Sequence, residues 1–363
     1  MSFRSVGCAL VIGCLVACSG LPPTAAEFAA NLPAERELSV VERERVEGHV
    51  ADAIAYLESG DHIGAAGAAA SALVLDPRQA RALAVQALAE LRRSEADTPV
   101  PLDVLHRTEG ELLQASTLAP EDPVVGFLHA DYLRRVGHLT AAAQRAESAL
   151  DSAPEHVDLL ELAGRLRYDL GDERRAIPHL TRLVELDPRN AKAWYRLAES
   201  RIAVAMAARD ETPRVEAAQG AADAFERYIA LAPADAAGHL GLAHALVLVG
   251  TSETLERAVD STEIAARLDA RSPDPRFDQG VVLDLLGHAD AARVAYEAAL
   301  RRDGDHVPSL LNLAANQAQA SLLDDARATC RRVLLLDLGR EDRRRVETWL
   351  RDNAEPDHSI KRR

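Results

Sequence analysis

Aromatic residues are scarce in this chain: two Trp, six Tyr and five Phe make up 4% of 363 residues. That scarcity excludes a core built around a few large rings. Cysteine is limited to four, of which Cys8, Cys14 and Cys18 crowd the N-terminus. Cys330 is then the only one further along, with no partner for a disulfide, and it reads as a small buried hydrophobe in a helix. Positive charge is short as well, with 42 Lys and Arg against 57 Asp and Glu, a net charge of −15 and a pI near 5.3. Nucleic-acid binding needs clustered cations to displace counterions from phosphate, so it is not expected. No glycine-rich phosphate loop, Gly-x-Ser-x-Gly elbow or metal-spaced Cys pair occurs. His239 and His244 are five residues apart, which does not put them on one helical face as zinc ligands. His62, His138 and His288 read as solvated turn residues. The sequence therefore argues against an enzyme, and no cofactor, metal or small-molecule substrate is expected.

What is abundant is apolar and small. Hydrophobic residues reach 48%, mostly Ala and Leu, the strongest helix formers, and Ala lets helices approach closely. An all-α protein follows. At the N-terminus, residues 1–17 read as an export signal, with Arg4 ahead of an apolar stretch from Val6 to Val16. That stretch is too short to span a bilayer, which takes about 20 apolar residues. Leu15-Val16-Ala17-Cys18 resembles the lipobox of bacterial lipoproteins, which implies a lipid, palmitate included, on Cys18. Ser19 after it favours, by the same resemblance, the outer membrane facing the periplasm. An ordinary secretory signal with a chance Cys is the alternative. Residues 18–45, with Pro22, Pro23 and Pro33, read as the anchor and a tether.

From there the chain repeats itself. Ala- and Leu-rich stretches stop at Asp76-Pro77, Ala119-Pro120, Ala153-Pro154, Asp187-Pro188, Ala232-Pro233, Asp269-Ala270, Asp303-Gly304 and Asp337-Leu338, spaced by 43, 34, 34, 45, 37, 34 and 34 residues. A 34-residue repeat with tolerated loop insertions explains this. Gly60, Gly137, Gly171, Gly250 and Gly287 each mark the end of a first helix. Five residues after most of them comes Ala65, Ala142, Ala176 or Ala292; Ala326 and Ala258 hold the same place elsewhere, and an Ala there lets the second helix lie against the first. Trp194, Tyr56, Phe225 and Tyr296 are the large residues within the repeats.

These marks resemble the tetratricopeptide repeat family and, with the lipobox, bacterial repeat lipoproteins. The resemblance implies a right-handed α-solenoid of about eight helix-turn-helix repeats over 46–340, a capping helix over 341–354 and a flexible tail at 355–363. It also implies that first helices line a groove for partner segments. Arg92, Arg134, Arg135, Arg165, Tyr168, Tyr195 and Phe277 are the candidate groove residues. The four arginines suit an acidic segment or a terminal carboxylate. They would equally pair with Asp131, Glu161 and Asp169 on a solvated face, where each pair contributes about 0–1 kcal/mol. The Lys/Asn clamp of chaperone-binding relatives is absent. The function implied is a protein-protein scaffold at the bacterial envelope for a pilus, secretion or polysaccharide-export assembly; the alternative is a regulator docking peptidoglycan-modifying enzymes.

Overall fold

The computed structural model describes residues 35–95 and 100–354, so residues 1–17, Cys18 and the tail at 355–363 fall outside the described residues. The described residues form 17 α-helices and no strand. They fall into two compact units, one ending at Ser152 and the other starting at Ala153.

The first unit holds three helix pairs: α1 (Val40–Ser59) with α2 (His62–Leu75), α3 (Ala80–Ser94) with α4 (Leu102–Leu118), and α5 (Pro123–Arg135) with α6 (Leu139–Leu150). Each helix packs against its pair mate, and α3 also touches both α1 and α5. Local chemistry sets the helix starts. Ser39 and Glu42 form a reciprocal capping box ahead of α1, and the Asp122 carboxylate accepts from the N–H groups of Val124 and Val125.

The second unit holds five pairs and a last helix. The pairs are α7 (Val157–Asp169) with α8 (Glu173–Leu186), α9 (Ala191–Ala207) with α10 (Glu211–Leu231), and α11 (Ala236–Val249) with α12 (Ser252–Leu268). They continue with α13 (Asp274–Leu285) and α14 (Ala289–Leu300), then α15 (Val307–Gln319) and α16 (Leu323–Val333). Each second helix also packs on the next first helix. The final helix, α17 (Arg340–Asp352), lays Val346, Trp349 and Leu350 against Leu310, Cys330 and Val333. Its other side is charged, as the end of a stack requires.

The repeat signals have physical causes in both units. Gly60, Gly137, Gly171, Gly250 and Gly287 all sit at φ between 70° and 85°, the left-handed region that Gly enters without steric cost. In the last pair Ser321 takes this place at φ 61°. Ala65, Ala142, Ala176, Ala258, Ala292 and Ala326 are all fully buried. A second small-residue row lies mid-way along the first helices: Ala53, Ala87, Ala130, Gly164, Ala198, Ala243, Gly280 and Ala314. All eight are buried. A Cβ on Gly164 would lie 2.8 Å from Leu180 Cδ2, so the missing methyl is what admits α8.

One expectation changes: the surplus in the repeat that ends at Ala232 is not a loop insertion but lengthens the helices. The helices α9 and α10 run 17 and 21 residues against 13 and 14 for α7 and α8, and Arg201 Nη1 ties the pair by donating to Gly220 O at 2.7 Å. Of the large residues, Phe225 and Tyr296 are buried, whereas Tyr56 is 45% exposed.

Candidate partner-binding face

In the first unit the candidate arginines meet at one carboxylate. Asp131, Arg134 and Arg135 follow one another around α5 at spacings of three and four residues, which places them on one face. Asp131 Oδ1 accepts from Arg134 Nε at 3.0 Å and Nη2 at 2.5 Å. Its Oδ2 accepts from Arg135 Nε at 2.8 Å and from Arg92 Nη2, on α3, at 3.1 Å. Arg135 Nη1 also donates to both Glu95 oxygens, at 2.8 and 3.0 Å, and Arg92 Nη1 donates to Leu57 O at 3.3 Å. Burial by itself would raise the Asp131 carboxyl, but the hydrogen bonds from Arg135 and Arg134 outweigh it and hold it below the usual carboxylate range. Three guanidinium groups thus face two carboxylates, leaving one surplus positive charge. The sequence pointed to Asp131 as a partner and missed Glu95. The pairing spans two repeats of unequal length, so no fixed spacing announces it.

In the second unit the first helices present a row of polar and aromatic side chains. Tyr168 is half-buried on α7, as is Arg165; Tyr195 and Glu199 follow on α9, and His244 is exposed on α11. His244 Nε2 lies 2.9 Å from Oδ2 of Asp278, which comes from α13. That hydrogen bond is the main reason the imidazole is held above its ordinary value; burial opposes it, and the charges of Asp278 and Glu199 add to it. Glu199 is itself raised, by burial, with His244 pulling the other way. The Tyr195 ring packs edge-on to Phe225 and Tyr228, with centroids 5.8 and 5.2 Å away. Burial first, then the charge of Glu199, pushes its hydroxyl up to about 12. At neutral pH Tyr195 is therefore a neutral, fixed ring with a hydroxyl able to donate or accept.

Phe277 has a different place from the others. Its ring packs against Tyr296 and His306, with centroids 6.2 and 5.5 Å away, in the joint between α13, α14 and α15. Asp284, on the same helix, accepts from Tyr296 Oη at 2.7 Å and from Asn316 Nδ2 at 2.9 Å, which makes it a packing carboxylate. The α13 residue that reaches the row, through His244, is Asp278, which the sequence pattern did not single out. The separation of His244 and Asp278, 34 residues, is one repeat length and was the available signal. His239 faces elsewhere, with Nε2 at 3.2 Å from Pro233 O. Cys330 is buried, which raises its thiol.

Two overlapping segments, residues 127–173 and 161–202, match the family model described as tetratricopeptide repeat. No curated protein matches the chain. Solved structures that resemble it include that of pilF of Pseudomonas aeruginosa, at 16% identity over 64% of this chain and 95% of that one, with a TM-score of 0.45. Another is YrrB, a TPR protein with an unusual peptide-binding site, at 17% identity, 55% and 95% coverage and a TM-score of 0.46. A third is MamA of Desulfovibrio magneticus RS-1, at 19% identity, 49% and 92% coverage and a TM-score of 0.41. The matched segments lie within residues 127–202, and helix pairs on both sides of them carry the same left-handed glycine turns.

Proposed function

We propose that the chain is a tetratricopeptide-repeat protein that serves as a non-catalytic scaffold at the bacterial cell envelope, holding partner segments against its first helices. Stacked helix pairs of this kind are protein-interaction modules, because stacking buries the faces between helices and leaves a continuous face free for partners. The observation that carries the proposal is the row of Tyr168, Tyr195, Glu199 and His244 in the second unit. Tyrosines fixed by packing lose little entropy when a partner covers them, and His244 and Glu199 supply hydrogen bonds beside them. Attachment to the membrane is assigned to a lipid on Cys18, following Leu15-Val16-Ala17. The assemblies that such an anchored scaffold serves are those of a pilus, a secretion system or polysaccharide export.

The test is in-cell crosslinking of the tagged protein with mass spectrometry of what is captured, run beside labelling with a palmitate analogue. A recurrent small set of envelope proteins, with label lost in Cys18→Ser, is the expected outcome. Capture of cytoplasmic proteins by an unlabelled chain would overturn it.

A further inference from the structure

A trough of about 770 Å³ opens in the second unit on a side that none of the first-helix row lines. Arg276 and Leu283 of α13 form one wall, Val294 and Ala298 of α14 the other, and Arg301 and Arg302 close one end. Its volume is in the range of built ligand sites, about 300–1,000 Å³.

The positive charge here is not balanced from within. Arg276 is paired: its guanidinium donates to Glu263 and, at 2.7 Å, to Gln279 Oε1. Glu263 is fully engaged, since Arg267 Nε and Gln279 Nε2 also donate to it, at 3.2 and 3.1 Å. Arg302 is bonded to no carboxylate among the described residues, although Glu263 and Asp269 lie near enough to attract it. Its Nε donates to Ala270 O and its Nη1 to Ala298 O, both at 2.9 Å, so two backbone carbonyls fix the guanidinium in place without neutralising it. Arg301 is exposed, and its side chain makes no ion pair among the described residues. Burial, and then repulsion from Arg276 and Arg301, pull Arg302 below its ordinary value, against a smaller opposing attraction from Glu263 and Asp269.

We infer that this trough is a second docking site, for an acidic peptide segment of a partner protein in which carboxylates flank a small apolar residue. Arg302 is held ready by its two carbonyls, and Arg301 is free to close on a carboxylate with its planar fork. Val294, 59% exposed on the α14 wall, is apolar surface that an inorganic anion leaves uncovered and a peptide side chain covers. Charge complementarity sets the location. The chain carries a net charge of −15, so an acidic segment is repelled by most of the surface and drawn to this local excess of arginine. The site is separate from the first-helix row and stands whether or not that row binds a partner.

The experiment is fluorescence anisotropy of the full chain with a fluorescein-labelled Glu-Val-Glu-Val-Glu peptide. Saturable binding is expected, weakened about tenfold or more when the peptide glutamates become glutamines, because charge-assisted hydrogen bonds are lost. Arg301→Glu and Val294→Glu, both at exposed positions, should each weaken binding to a similar degree while leaving the melting curve unchanged. Arg134→Glu, in the first unit, should leave the affinity as it is. Three results would overturn the inference. The first is unaltered affinity in Arg301→Glu. The second is displacement of the peptide by an equal concentration of inorganic phosphate. The third is Arg301-dependent capture by phosphatidylglycerol vesicles with no peptide binding at all.

Discussion

Replacing Asp131 with Asn removes a charge that three arginines share, at nearly unchanged volume. The wild-type carboxylate accepts four hydrogen bonds from Arg92, Arg134 and Arg135, and its side chain is only 8% exposed. In the variant Arg135 keeps Glu95, while Arg92 and Arg134 lose their carboxylate. Breaking a buried pair on one side costs about 3–5 kcal/mol. The arginines are 18% to 30% exposed, so water recovers part of that, and the amide oxygen still accepts. A loss of about 2–4 kcal/mol is the result. For a cooperative unit of this size it lowers the melting temperature by roughly 5–12 °C. The assay is circular dichroism in urea and heat, repeated across pH. Asp131 titrates below the ordinary carboxylate value in the folded chain, so its stabilisation is complete above that ordinary value and fades as pH falls through the lower folded one. The gap between wild type and variant should therefore stay constant from pH 7 to 5 and narrow only in stronger acid. Equal stability at pH 7, or a gap already closed at pH 5, would refute the reasoning.

Other substitutions probe other joints. Gly164→Val should overpack the contact with the fully buried Leu180 and cost about 1–3 kcal/mol, read from urea unfolding. Glu111 is pushed up to about 7, mainly by burial and then by the charge of Glu90. Its folded value exceeds its unfolded one, so the associated stability is complete below the ordinary Glu range and is lost as pH rises through about 7. Glu111→Gln should accordingly stabilise the chain by about 1–3 kcal/mol at pH 8 and leave it unchanged at pH 4, as unfolding at the two pH values will show. Asp278→Asn should return the His244 titration, followed by NMR, toward its ordinary value.

Much of the fold was legible because its signals are steric. A helix that must turn within one residue uses Gly, and helices that must touch use Ala, so Gly137 and Ala142 announce their pair without reference to any other. Extra length was less legible, since the surplus in the repeat that ends at Ala232 becomes additional helical turns as readily as a loop. The candidate face was legible only by repeat position. Tyr195 and His244 stand on it, but position alone does not say which way a ring turns. Gly280 leaves space beside Tyr296, and Phe277 settles against that ring instead of the open face. Glu95 and Asp278 escaped because a partner two helices away is chosen by side-chain reach, which a linear pattern does not encode.

Site-specific photocrosslinking in cells tests the central claim most directly. A photoreactive amino acid is placed in turn at Tyr195, His244 and, on the exposed side of a second helix, Glu256. Adducts to the same envelope protein from Tyr195 and His244, and none from Glu256, are the predicted result. Adducts from Glu256 with none from the first helices would contradict the account.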